Sequence, residues 1–188
     1  MRATDDLKTE HGAVKRMLRV LEAASDRLSA GERVSPELFE DAIDFIRNFA
    51  DRCHHGKEEE LLFPALEKAG ISRSGGPIGV MLSEHAEGRQ FVQSMAAALE
   101  GYRKGDPESP KALAQAAKGY AALLAGHIYK EDNILFPMGD RVLSPEADAE
   151  LVEGFERIES DRIGPGVHER YHEMIDRLEA EMGTAKPA

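Results

Sequence analysis

Tryptophan is absent, cysteine occurs once in 188 residues, at Cys53, and aromatics make up only 6% of the chain. A single thiol excludes an intramolecular disulfide, so nothing in the sequence calls for an oxidising compartment. Apolar runs are short, of the order of Tyr120 to Ala125, far below the roughly 18 residues that a bilayer crossing needs. The opening segment, MRATDDLKTEHGAV, has no apolar stretch of the kind a secretory signal carries. The chain is therefore expected in the cytoplasm, away from membranes. Positive charge is scarce as well: 24 Lys and Arg stand against 35 Asp and Glu, a formal net charge of -11. That balance excludes a sequence-independent grip on nucleic acid phosphates or anionic lipid. What is plentiful, Ala, Leu, Glu, Arg and Lys, favours helices, and with Thr scarce an all-α fold is predicted.

Helix signals recur along the chain. A first helix is predicted over about 4–29, with Thr4 and Asp5 at its start and Gly31 as its stop. Its seam reads Leu7, His11, Val14, Leu18, Leu21, Ser25, Leu28, alternating steps of four and three that keep one face buried, so His11 stands where a core residue belongs. A second helix starts at Ser35-Pro36-Glu37 and runs towards Gly70 along Ile43, Ile46, Ala50, His54, Glu58, Leu61, Ala65, with a kink or break expected at Pro64. A third follows Pro77 with the seam Ile78, Met81, His85, Gly88, Val92, Met95, Leu99, Tyr102. A fourth runs from about Pro110 along Leu113, Ala116, Tyr120, Leu124, His127, Glu131, Ile134, Met138. Two shorter helices are predicted after Ser144-Pro145 and, past the turn Ile163-Gly164-Pro165-Gly166, over about 167–181. The final residues, GTAKPA, are expected to fray.

The two halves of this series match. Glu10-His11 recurs as Glu84-His85, 74 residues on, and His54 through Pro64 aligns without a gap on His127 through Pro137, 73 residues on. Each half is thus a helical hairpin with the same polar residues in the same order, and two such hairpins make an antiparallel up-down four-helix bundle with approximate two-fold symmetry. The reading gives a bundle at 4–139, a helical extension packing on it at 140–182 and a disordered tail at 183–188.

His11, His54, Glu58, His85, His127 and Glu131 then converge from four helices. One buried histidine is ordinarily a hydrogen-bonded core residue, but four imidazoles with two carboxylates in one core are costly to desolvate without a partner, and no Lys or Arg shares their seam. A multivalent metal centre supplies the missing positive charge. The pairs His54/Glu58 and His127/Glu131 are both i, i+4 and so point to one side of their helices. Four imidazoles and two carboxylates able to bridge two metals, with positions left open, suit iron or manganese better than a closed zinc site, where thiolates are more usual.

The pattern His, His-x3-Glu, His, His-x3-Glu, with Leu62-Phe63-Pro64 and Leu135-Phe136-Pro137 following, resembles the hemerythrin-like (HHE cation-binding) domain over about residues 4–139. The resemblance implies two iron ions, oxo- or hydroxo-bridged, with zinc or manganese as substitutes in recombinant protein. His11, His54, His85 and His127 would be terminal ligands and Glu58 and Glu131 bridges. Oxygen-carrying hemerythrins have a further histidine one turn away on the third helix; here Met81 and Arg89 occupy the positions four before and four after His85. The site therefore looks more open than a carrier's, closer to the iron-sensing hemerythrin domain of an F-box protein and to short bacterial hemerythrin-like proteins. Reaction with peroxide, oxygen or nitric oxide, in oxidative or nitrosative stress defence, is the activity implied, with a catalase- or peroxidase-like turnover or an iron- or oxygen-sensing role without turnover as alternatives.

Other residues receive quieter readings. His55 and Glu59, about 100° round the helix from His54 and Glu58, are placed outside the ligand set. His168, Tyr171 and His172 of the last helix are candidates to cap the site or supply a missing ligand, against a simple packing role. Cys53 is read as a small buried residue, Tyr120 as core packing and Tyr129 as exposed. Glu10 and Glu84, each preceding a ligand, are left without a role.

Overall fold

The computed structural model describes residues 2–162, 164 and 166–184, and among these every regular element is helical. Ile163 and Pro165 of the expected turn and residues 185–188 of the expected tail lie outside the described residues. There are six helices: α1 (Ala3–Ser29), α2 (36–68), α3 (Pro77–Arg103), α4 (109–142), α5 (Pro145–Arg162) and α6 (Val167–Met182).

Local sequence sets the ends. At the head of α1 the Asp5 carboxylate accepts a hydrogen bond from the Arg2 N–H at 3.0 Å, and Asp5 and Asp6 face the positive end of the helix dipole. Pro36 and Pro77 open α2 and α3 where a missing N–H costs nothing. Gly31 ends α1 at φ 80°, a left-handed conformation that glycine alone adopts freely.

The four long helices α1 to α4 close into a ring in chain order, each packed on its neighbours, and α5 and α6 lie against α1 and α2. The core has two apolar parts. The larger is built on residues such as Met17, Leu21, Phe45, Phe49, Met95 and Leu124, and α6 adds Ile175 and Leu178 to it. The smaller, at the other end, gathers Leu7, Leu62, Phe63, Met81, Leu135 and Phe136. The His and Glu residues of the seams form a polar slab between these two parts, walled by hydrocarbon on both sides.

Pro64 does not break α2. The helix continues through it, and the stretches Ile46–His55 and Glu58–Leu62 are wound as π-helix before α-helical Phe63–Lys68 resumes. The Phe63 N–H reaches back five residues to the Glu58 carbonyl, so the wider turn comes just ahead of the proline and takes up the space that its ring demands. α4 repeats the device: Glu131–Leu135 is π-helical and the Phe136 N–H donates to the Glu131 carbonyl, one residue before Pro137. Each π turn advances the buried face by one residue. Leu62 and Leu66 are buried where the α-helical period placed Leu61 and Ala65, and Leu135 and Gly139 are buried where it placed Ile134 and Met138, Ile134 being exposed.

Candidate metal centre

All six seam residues meet, and none is more than 2% exposed. The Nε2 atoms of His11 and His54 face each other at 3.0 Å, and those of His85 and His127 at 3.1 Å. The two carboxylates span these pairs. Glu58 places Oε1 3.6 Å from His54 Nε2 and Oε2 3.4 Å from His85 Nε2, while Glu131 Oε2 lies 3.3 Å from His11 Nε2 and 3.2 Å from His127 Nε2. Each hairpin supplies one histidine pair, and each glutamate touches one histidine of either pair.

The other ring nitrogens are all engaged. His54 Nδ1 bonds Glu10 at 2.7 Å, His127 Nδ1 bonds Glu84 at 2.9 Å, His85 Nδ1 bonds Glu59 at 2.8 Å and His11 Nδ1 bonds Asp132 at 2.7 Å. A carboxylate accepts the Nδ1 proton in each case, which orients the ring and directs its Nε2 into the centre. Each carboxylate also holds a cation: Lys57 on Glu10, Lys130 on Glu84, Arg89 on Glu59 and Lys15 on Asp132. The whole arrangement repeats with the hairpins, since Glu10 and Glu84 are 74 residues apart, Lys57 and Lys130 73, Glu59 and Asp132 73, Lys15 and Arg89 74.

Glu10, Glu84, Glu59 and Asp132 therefore have roles that reading single helices misses. Each sits beside a ligand-type residue in sequence but serves the histidine of the adjacent helix. The recurrence of these acids and their cations at the repeat spacing is the signal that could have exposed them. Against the penalty of burial, the His54 bond and Lys57 hold the Glu10 carboxyl down at about 2. Burial likewise opposes charge on His11, yet Asp132 and Glu131 raise it to about 9.

His55, read from the sequence as lying outside the ligand set, lies directly against it. It is buried, its ring stacks on His85 with centroids 3.8 Å apart, and its Nδ1 lies 3.2 Å from Asp51. A ligand atom from each of His55, Glu58, His85 and His127 falls within one 4.8 Å group, as does one from each of His11, His54, Glu58 and Glu131. His54 and His55 both lie in the π-wound stretch Ile46–His55, and both are buried. Burial, and next the neighbouring His85, push the His55 pKa well below its ordinary value, so the ring is neutral and carries a free lone pair. The opening left by Met81 and Arg89 is thus partly filled from α2; Met81 is apolar core, and Arg89 pairs with Asp51 and Glu59.

The last helix does not reach the centre. Tyr171 donates its hydroxyl to Asp44, His172 is exposed, and the His168 ring rests against Phe49 with Nε2 3.5 Å from Glu159. His168 does fall in a separate group with Glu10 and Cys53, but Glu10 there is already bonded to His54 and Lys57. Cys53 is buried, and burial pushes its thiol up to about 12, which makes it inert at neutral pH. Tyr129 is exposed and Tyr120 buried.

The centre fits a metal on its own chemistry. Both oxygens of Glu58 and both of Glu131 are buried with no hydrogen-bond donor among the described residues. Burial and the adjacent Glu131 push the Glu58 carboxyl well above the usual range, while Glu131, equally buried, is held low by His127 and His11. Two carboxylates in a space that favours one negative charge, with inward-facing imidazole nitrogens and no thiolate, form a nitrogen and oxygen donor set that a multivalent cation completes.

Residues 2–139 match the family described as Hemerythrin HHE cation binding domain. Uncharacterized proteins of Mycobacterium tuberculosis and Mycobacterium bovis are 28% identical over 181 residues, 96% of this chain and 70% of theirs. An iron-sulfur cluster repair protein, YtfE of Yersinia pestis, is 35% identical over 86 residues, 45% of this chain and 39% of that protein. No solved structure matches the chain. Among the described residues no helix is long and apolar enough to cross a membrane.

Proposed function

The chain belongs to the hemerythrin HHE cation-binding domain family, and from that premise we propose that the His and Glu centre holds two iron ions and reacts with small oxidants, hydrogen peroxide first, with oxygen and nitric oxide as further ligands. The observation that carries this reading is the set of four unpartnered carboxylate oxygens lying between two facing histidine pairs. One ion would sit among His11, His54, Glu58 and Glu131, the other among His85, His127, His55 and the same two glutamates. When bound, an iron pair would supply the electrons that peroxide reduction requires.

The chain's own residues do the rest. Glu10, Glu84, Glu59 and Asp132 hold the four imidazoles in one orientation, so the nitrogen donors are arranged before any ligand arrives. The apolar layers above and below keep bulk water from the reacting space. An iron-sulfur cluster repair role, for which the Yersinia relative is named, would draw on the same residues.

The test is metal analysis of protein made with added iron, followed by stopped-flow mixing of the reduced protein with hydrogen peroxide. About two irons per chain and a spectral change that follows peroxide loss are expected. No stoichiometric metal after anaerobic loading overturns the reading. Metal-dependent stability without any peroxide reaction would reassign the centre to a sensing role.

A further inference from the structure

A cavity of about 270 Å³ opens between α2 and α3 and runs inward to the rings of His55 and His85. Its wall includes Ile46, Val92, Gly88 and Tyr120, and Arg47 and Arg89 also line it. Gly88 carries no side chain on this wall, beside Tyr120. A Cβ at that position would already stand 3.4 Å from Leu124 Cδ2 and 3.6 Å from Tyr120 Cε2, and anything longer would intrude further. The position related to Gly88 by the 74-residue repeat is Val14, which is buried, and the position related to His55 is Ile128, also buried. The two ends of the centre therefore differ in the side chains around them, although their ligand sets are nearly symmetric.

One polar atom of this wall lacks a partner. The Tyr120 side chain is buried, and its hydroxyl has no hydrogen-bond partner among the described residues. Leaving such a group unpaired costs about 1–3 kcal/mol, so a hydroxyl in this position gains from a partner that enters the cavity. Burial keeps the phenol protonated, and so a donor.

Resting on the metal-centre reading above and naming its substrate class, we propose that this cavity binds a small organic hydroperoxide, its apolar body against Ile46, Gly88 and Val92 and an oxygen accepting the Tyr120 hydroxyl proton in a hydrogen bond. Size favours this over hydrogen peroxide alone. A cavity of about 150 Å³ takes up benzene, so this one has room for a ring and a short branched substituent. A molecule so placed has its polar end beside His55 and His85.

The experiment is isothermal titration calorimetry of the metal-loaded protein, its metal content measured, with 2-phenyl-2-propanol, the unreactive alcohol counterpart of an aryl hydroperoxide. Saturable binding at one site is expected. Gly88→Val, which puts at this end the residue that the other end carries, abolishes it, and Tyr120→Phe, which removes only the hydroxyl, weakens it about fivefold, the effect of one neutral hydrogen bond. Absence of saturable binding by the unaltered protein, or binding that Tyr120→Phe leaves unchanged, overturns the proposal. Thermal melting checks that each variant folds, and if Gly88→Val does not, Tyr120→Phe decides alone. Should the protein consume hydrogen peroxide yet fail to bind the alcohol, only this inference falls; should it bind the alcohol yet hold no iron, only the metal reading falls.

Discussion

The imidazole of His55 lies flat on that of His85, the planes 15° from parallel, although the two residues come from different hairpins and His55 adjoins another inward-facing histidine in sequence. The stack sets the ring of His55 against the His85/His127 end of the centre, so its nitrogen and its aromatic surface make separable contributions.

His55→Phe separates them, since phenylalanine keeps the stack and removes the donor. Metal affinity at the His85/His127 end is expected to fall by about tenfold or more, with the melting temperature of the metal-free protein little changed. Titration against a chelator of known affinity checks this. Unaltered metal content would reduce His55 to packing.

Glu10→Gln and Glu84→Gln each keep the shape of the side chain while removing the charge that holds a histidine Nδ1. Each is expected to cost about 10–100-fold in metal affinity, and the two losses should be similar because the residues are equivalent under the repeat. Competition for zinc, read with a colorimetric chelator, measures both without any dependence on redox chemistry.

In the metal-free protein the sign of a substitution at the centre should reverse. Glu58 is a carboxyl group buried without a donor, so Glu58→Leu relieves an unsatisfied group and is expected to stabilise the metal-free chain by about 1–3 kcal/mol. With metal present the unaltered protein should be the more stable, since an ion bound only to the folded state adds to its stability. Urea unfolding with and without chelator reads both arms, and a loss of stability in both would mean that Glu58 is a structural hydrogen-bonding residue.

The docking of α6 has its own pH dependence. Glu179 accepts from Arg16 at 2.7 Å and from Arg19 at 3.1 Å, and the bond from Arg16 lowers its pKa below the ordinary 4.5. An unfolded chain holds more protons than the folded one just below 4.5, so this stabilisation is complete above that pH and is lost as pH falls through the lowered folded value. Glu179→Gln is expected to remove about 1 kcal/mol, typical of ion pairs near a surface. Hydrogen exchange of α6 amides at pH 6 should rise selectively in the variant, and the difference should vanish under acid conditions.

The six residues of the centre are legible in the sequence for a definite reason: His11 and His85 obey an α-helical period, and His54/Glu58 and His127/Glu131 keep their i, i+4 spacing up to the glutamates at which the π turns Glu58–Leu62 and Glu131–Leu135 begin. Beyond those turns the α-helical period fails by one residue, which is why Leu61 and Ile134 were placed inside and Leu62 and Leu135 are found there. The turn of about 100° per residue sets His55 off the His54 seam, yet the ring is buried against His85 within the π-wound stretch Ile46–His55. Glu10 and Asp132 show only in the repeat spacing. Their partners sit on a different helix, and a period along one helix carries no information about its neighbour. The fold class survived these errors because a one-residue rotation within a helix changes which side chain is buried without changing which helices pack.

The repeat has a further consequence. A dimer of two identical short hairpins could gather the same four histidines and two glutamates across its two-fold axis, but it would be bound to make the two halves of the centre alike. Joining the hairpins in one chain releases this constraint. Position 88 can be glycine while position 14 is valine, and position 55 can be histidine while position 128 is isoleucine, so one half can specialise in admitting a guest while the other holds the frame.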